Sequence, residues 1–345
     1  MRLGSNPAKT GVPAYSPRQL GVALLTYIPN QAGYFANALQ IFKIQLESLY
    51  KTTLQDFDLL VFDNGSCPPV VRALQELHAG GRIDWLVLSR HNMGKAGAWN
   101  WIFSAMPNEL ICYADSDVLF RPGWLESSLH ILKAFPNPGM VSAQPNFFDV
   151  LDGQGKAHLI LKEDPKFELG SYLPEKEIID EYCSGLGANE QLSERFHSAP
   201  IPYVVNKAQE ITAVIGATHM QFLTTREVAR QVFPLPVSKG LYRGETIGLD
   251  RKVDVLGYLH LSTQENFVIH MGNTITERLS KEISEIVGNQ VGTKEAPKRV
   301  AARRSLIYRL ASRLARNDSI KRFFLRAYNF LFRVLYTETP EGDGN

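Results

Sequence analysis

Apolar positions in the first third of the chain follow two alternating patterns. Short unbroken runs occur at residues 21–26 (GVALLT), 57–62 (FDLLVF), 85–88 (WLVL) and 110–114 (LICYA). Each stops at a polar or turn-forming cluster, so each reads as a strand buried on both faces. Between them the spacing is helical. Phe35, Leu39, Phe42, Leu46 and Leu49 mark one helix within residues 34–50, and residues 70–78 and 94–106 mark two more. Strand and helix in turn, with short connections, predict an α/β fold: a parallel sheet covered by helices on both faces.

Tyr27, Asp63, Asn64, Asn92 and Asp115 all follow the C-terminal end of a predicted strand. Ligands of open α/β sheets bind in the crevice at that edge. Singly, such residues are ordinary turn and capping residues; four clusters on consecutive strands point to a site. No G-x-G-x-x-G follows the first strand and no G-x-x-x-x-G-K-[ST] occurs, which argues against a nicotinamide dehydrogenase and a P-loop NTPase. In ICYADSDVLFRPGWLE (residues 111–126) two carboxylates flank a serine. Read as extended chain, Asp115 and Asp117 point to one side and converge on one hard divalent cation. Mg²⁺ or Mn²⁺ takes oxygen ligands and keeps open positions for substrate phosphates.

In this order the motifs resemble family 2 glycosyltransferases, nucleotide-sugar enzymes of the GT-A fold. LLTYIPN resembles the family's first strand and turn, with Ile28 and Pro29 intervening before Asn30. VFDNGSCP resembles its second strand end. RHNMGKAGAWNWIF (residues 90–103) matches its Asn-x-Gly-x-x-Gly-Ala-x-Asn pattern, and ADSDVLFRPGWLE its Asp-x-Asp followed by Pro-Gly-Trp-Leu. Weaker matches continue to about residue 276. The resemblance implies that Thr26 and Tyr27 contact the nucleotide, that Asp63 hydrogen-bonds the base, most often uracil, that Asn64 belongs to the same nucleotide site, and that Asn92, Gly94 and Lys95 lie along the nucleotide. It places Asp115 against ribose and metal, Asp117 on the metal directly, and His270, in HMGNT, at the diphosphate or the metal. The metal would neutralise charge building on the departing nucleoside diphosphate.

RGETIGLDRKVDVLGY (residues 243–258) is spaced like the family's Gly-Glu-Asp-x-Asp-Leu…Gly-Tyr element, but Thr246 stands at the usual base position and Gly248 at the second Asp. Threonine is no general base. Glu245 is then the expected base, with Asp250 one helical turn on. His219, in Gly-Ala-Thr-His-Met, reads either as a structural residue or as part of an acceptor pocket. The implied chemistry is an inverting displacement: a carboxylate takes the acceptor's proton as the hydroxyl attacks the anomeric carbon opposite the diphosphate.

Charge divides the chain further. The formal net charge is +2, yet residues 291–336 hold twelve Lys/Arg against two acids, and residues 337–345 hold three acids and no base. The expected organisation is an arm (1–20), a GT-A domain (21–290) with a nucleotide-sugar half (21–126) and an acceptor half (127–290), a basic helical C-terminal extension (291–336) and an acidic tail (337–345). In the extension, Leu306, Ile307, Leu310 and Leu314 form one stripe, then Ile320, Phe323, Phe324, Leu331 and Val334 another, with Lys321, Arg322, Arg326 and Arg333 mostly opposite. Basic amphipathic helices suit an anionic membrane surface; packing against a partner competes, and no motif supports nucleic acid. Residues 147–207 break the strand-helix rhythm and read as a functional excursion, assigned to acceptor recognition.

Hydrophobic residues make up 44% and charged residues 21%, which excludes disorder. Cys67, Cys112 and Cys183 are too widely spaced for a disulfide scaffold or a Cys-x-x-Cys zinc site and fit a reducing compartment. The first residues lack the apolar core of a signal peptide, and no run reaches the roughly 18 apolar residues of a membrane span. The expected location is cytoplasmic, peripheral on the inner face of the cell membrane, and the expected acceptor a lipid-linked or cell-surface glycan. Two alternatives stand: a sugar-phosphate nucleotidyltransferase, for which YIPNQAGY lacks the Gly-rich, basic loop, and a non-catalytic sugar-nucleotide-binding partner, which Thr246 keeps open.

Overall fold

The computed structural model describes residues 15–148, 157–237 and 244–288. The first four strands are β1 (Leu20–Thr26), β2 (Phe57–Asp63), β3 (Trp85–Leu88) and β4 (Leu110–Asp115), and the first three helices are α1 (Ala38–Thr52), α2 (Pro68–Ala79) and α3 (Gly94–Ala105). These match the elements expected from the apolar pattern to within a few residues. The reason is two-sided burial. Leu20, Val22 and Leu24 of β1 pack with Leu59 and Val61 of β2 against Phe42 and Leu46 of α1 and Leu74 of α2. The alternate residues, Ala23, Leu60, Phe62 and Tyr113, face Trp99, Ile102 and Phe103 of α3. Each large side chain buried this way contributes on the order of 2–3 kcal/mol.

After β4 come β5 (Val118–Phe120), α4 (Trp124–Ala134) and β6 (Pro138–Ser142), then β7 (Phe167–Tyr172), α5 (Lys176–Leu186), α6 (Glu190–Ser198), β8 (Ile201–Asn206), β9 (Ile211–Ile215) and β10 (Gln221–Thr225). The last elements are α7 (Arg226–Val232), α8 (Gly244–Val255), β11 (Leu259–Ser262), β12 (Val268–His270) and α9 (Glu277–Val287). The ten-stranded sheet runs β3-β2-β1-β4-β10-β6-β11-β9-β8-β7, and β12 pairs with β5 in a separate ribbon. The α/β class is as expected. Strands β3, β2, β1 and β4 are parallel. Beyond β4 the pairing is antiparallel except between β6 and β11.

The expectation of an irregular excursion over residues 147–207 needs correction. Its described part carries two strands, two helices and a short 3₁₀ stretch. β7 and β8 extend the main sheet, and Phe147, Ile179, Tyr182 and Phe196 form a core of their own with Val214 of β9. The basic extension and the acidic tail lie outside the described residues, as do the first fourteen residues of the arm. The rest of the arm is anchored: Tyr15 donates to Asp58 Oδ2 at 2.6 Å and the Arg18 backbone N–H to the same oxygen at 2.9 Å.

Candidate active site

Parallel pairing brings the ends of β1, β2 and β4 to one edge, with Thr26 level with Asp63 and Leu25 level with Asp115. Thr26 donates its hydroxyl to Asp63 Oδ1 at 3.1 Å, and the Ser66 N–H donates to Asp63 Oδ2 at 3.1 Å. Asp63 is fully buried. It therefore holds the two loops in register, with both carboxylate oxygens engaged inside the protein. Tyr27 is exposed at the rim, its ring edge-on to Phe35.

Asn64 reaches the next loop. Its Nδ2 donates to Asn92 Oδ1 at 3.0 Å, and its Oδ1 accepts the Met93 N–H at 2.9 Å. Asn92 Oδ1 also accepts the Gly94 N–H at 2.9 Å, fixing the start of α3. Gly65 sits at φ +93°, where a Cβ would lie 3.1 Å from the Asn92 nitrogen. These asparagines thus tie β2 to α3.

α3 then delivers Lys95. Its Nζ lies 2.8 Å from Asp115 Oδ2 and donates to the His219 carbonyl at 3.2 Å, above the faces of Trp99 and Tyr113. Tyr113 donates its hydroxyl to Asp115 Oδ1 at 2.5 Å. Burial and the Asp115 charge hold the Tyr113 pKa well above the usual phenol value. Tyr113 was missed in the sequence, although it stands two positions before Asp115 in the same strand.

Asp115 and Asp117 do not lie in one extended segment. Residues 116 and 117 form the turn between β4 and β5, so the same-side rule for strands does not apply. Asp117 instead meets His270, with Oδ2 3.0 Å from Nε2, because β12 pairs with β5 and sets His270 beside Val118. The other ring nitrogen, Nδ1, lies 2.7 Å from the Gly185 carbonyl of α5. Burial disfavours the charged imidazole, but hydrogen bonding to Asp117 and the Asp117 and Asp115 charges outweigh it, so the His270 pKa is raised. Among the described residues no three His, Cys, Asp or Glu side chains converge as a ready metal site. Asp117 and His270 still offer an oxygen and a nitrogen donor side by side, and Mg²⁺ is commonly held by one or two carboxylates plus substrate phosphates. The donor set fits a divalent ion on that pair, with Asp115 engaged by Lys95 and Tyr113.

α5 is itself braced. Arg121 makes a two-pronged contact with Glu181, at 3.1 and 3.0 Å, and also binds Glu282 of α9, while Arg278 pairs with Glu181. Asn266 Nδ2 donates to Glu181 Oε2 at 2.9 Å. Burial pushes the Glu181 carboxyl up, but the Arg121 and Asn266 hydrogen bonds and the neighbouring cations hold it below the usual value. No local pattern announces this network. A hollow of about 390 Å³ opens beside Arg121, Glu265 and Glu282 and contains none of the expected site residues.

In the second half of the chain, α8 opens at Gly244, and the Glu245 side chain lies outside the described part. Asp250 does not stand alone: its Oδ1 is 2.7 Å from His219 Nε2 and 3.6 Å from His260 Nε2. His260 is buried, which lowers its pKa against the pull of Asp250.

Residues 35–195 match the model of glycosyl transferase family 2. The matched span holds most of the motifs on which the resemblance to that family rests. The pre-mycofactocin glycosyltransferase of Mycobacterium tuberculosis is 32% identical over 104 residues, covering 30% of this chain and 21% of that protein. The chain thus spans about a fifth of the length of the curated relatives it matches. Among solved structures, the mannosyltransferase PcManGT from Pyrobaculum calidifontis in complex with GDP-Man and Mn²⁺ shows a TM-score of 0.41 and 16% identity over 72% of this chain and 55% of that one. S. aureus TarS 1–349 in complex with UDP-GlcNAc shows a TM-score of 0.30 and 15% identity over 37% and 34%.

Proposed function

We propose that the chain transfers a sugar from a nucleotide-diphosphate donor, a UDP-sugar, to an acceptor hydroxyl with inversion, aided by Mg²⁺ or Mn²⁺. One observation carries this reading. Within and beside the span that matches family 2, Thr26 bonds to Asp63, Asn64 to Asn92, Asn92 to the Gly94 N–H that opens α3, and Lys95 to Asp115, all along the C-terminal edge of adjacent parallel strands. Open α/β sheets bind ligands at that edge. Tyr27 at the rim offers a ring face to a base. Lys95 and the first turn of α3 offer positive potential to a diphosphate.

Asp117 and His270 would hold the metal, which supplies Lewis-acid stabilisation of the leaving diphosphate when bound. The protein's own part is to orient that pair: β5 and β12 set it side by side and the Gly185 carbonyl fixes the imidazole. α8 carries the acceptor-side carboxylates, Glu245 and Asp250. The acceptor is a lipid-linked or cell-surface glycan, reached from the inner face of the membrane through the basic residues of 300–336. No helix among the described residues is long and apolar enough to cross a membrane.

The test is donor turnover. Purified protein with a panel of UDP- and GDP-sugars and Mn²⁺ should release nucleoside diphosphate slowly, and Asp117→Ala should abolish the release. Metal-dependent nucleotide binding without turnover, with or without a glycan acceptor, would favour the non-catalytic reading that Thr246 keeps open. Failure to bind any nucleotide would sink the proposal.

A further inference from the structure

We propose that His219, oriented by Asp250, takes the proton from the acceptor hydroxyl; this rests on the transfer reading above and names its base. The position where family 2 carries its usual base is Thr246, whose hydroxyl is far too weak a base at neutral pH. Asp250 is the carboxylate expected one turn further on. Its side chain is only 14% exposed, and its Oδ1 faces two imidazoles, His219 at 2.7 Å and His260 at 3.6 Å. A carboxylate so engaged orients a histidine.

His219 is placed to act. It lies between β9 and β10, and β10 runs beside β4 with Gln221 level with Ala114. The next residue, Met220, accepts the Asp115 N–H at 2.7 Å. The His219 carbonyl accepts from Lys95 Nζ, the same ammonium that binds Asp115. The backbone next to His219 is therefore hydrogen-bonded to that of Asp115, whose carboxylate lies at the edge proposed to bind the donor. Its ring packs near Trp99, with centroids 6.5 Å apart, and its side chain is 23% exposed.

The charged and titratable groups around the ring come from three elements. Asp250 comes from α8, Lys95 from α3 and His260 from β11, with Asp254 of α8 acting on His260. Burial lowers the His260 pKa, which disfavours a positive charge behind Asp250. With the ring proton on Nε2 and donated to Asp250, Nδ1 carries a free lone pair. The step balances. The acceptor O–H bond breaks and its proton moves to Nδ1. The acceptor oxygen bonds to the anomeric carbon as the bond from that carbon to the diphosphate oxygen breaks, and the electron pair leaves with the nucleoside diphosphate. Asp250 stabilises the imidazolium that results, the role of an orienting carboxylate behind a histidine base.

Nitrogen-15 NMR of the histidine-labelled full chain reads the dyad without any donor. The expected result is a proton on Nε2 of His219 that Asp250→Ala releases, seen as a shift toward the Nδ1-protonated tautomer. A proton on Nδ1 in the wild-type chain, or a tautomer unchanged by Asp250→Ala, overturns the dyad. The transfer assay reads its function. His219→Gln should lower kcat by about 10²–10⁴-fold with donor KM within about threefold, and Asp250→Ala should lower kcat with donor KM likewise little changed. Full activity in His219→Gln, with the loss confined to Glu245→Gln, overturns the assignment. If the wild-type chain binds no nucleotide, the glycosyltransferase reading falls and takes the catalytic role with it, and the tautomer result still decides the pairing.

Discussion

The proposed donor edge and the brace behind it are built on opposite principles. At the donor edge, Thr26, Asp63, Asn92 and Asp115 occupy strand ends and the loops just beyond them, and parallel register brings them together. At the brace, Asp117, His270, Gly185, Glu181 and Arg121 come from four separate elements or turns, and only tertiary packing makes them neighbours. The first region is set by short-range pattern and the second by long-range contact. Mutations should therefore separate them, with damage to the edge appearing as lost binding and damage to the brace as lost stability and a misplaced His270.

The largest effect belongs where the two regions meet. Asp117→Ala removes the carboxylate that pairs with His270, and donor turnover should fall by at least about 100-fold with little change in melting temperature. A loss of stability without a loss of turnover would assign Asp117 to the brace alone. Next is Gly185→Ala. An added Cβ would sit 2.7 Å from the His270 carbonyl oxygen and 2.8 Å from its Cβ. Overpacking of this kind costs about 1–3 kcal/mol, and a displaced ligand orienter costs about 10–100-fold in metal affinity. Metal titration and thermal unfolding read the two separately; unchanged metal affinity would detach α5 from the site.

Glu181→Gln tests the brace alone. Breaking a part-buried ion pair on one side should cost about 2–4 kcal/mol at neutral pH. The sign with pH follows from the depressed Glu181 pKa. Its contribution is present above the unfolded-state value of about 4.3 and is lost as pH falls through the lower folded value. The wild-type advantage over Glu181→Gln should therefore shrink in acid, and a gap that widens below pH 4 would contradict the pairing. The smallest effect is Asn189→Ala, which removes the side chain that accepts the Leu192 N–H at 2.9 Å and caps α6. It should cost about 1 kcal/mol and leave donor binding intact.

The same contrast explains what the sequence could show. The strands and helices of the donor edge were legible because both faces of β1, β2 and β4 are buried, which leaves unbroken apolar runs ended by polar clusters. The two ends of the Asp63–Thr26 bond fall at such ends. The pairing of Asp117 with His270 was not legible from spacing, since 153 positions separate them and the turn at residues 116 and 117 defeats a same-side argument. His219 and Asp250 were each visible, but their contact depends on α8 packing beside the β9–β10 loop. The region 147–207 read as irregular because its helices are short and charged. Their apolar residues, such as Ile179 and Phe196, find partners in Phe147, Ile201 and Val214, which lie outside these helices.

The most direct test of the central claim is calorimetric titration of UDP and GDP into the wild-type chain and Asp117→Ala, with and without Mn²⁺. The account predicts binding to the wild-type chain that strengthens with Mn²⁺ and a metal response that vanishes in Asp117→Ala. Equal binding with and without metal in both proteins, or none in either, would contradict it.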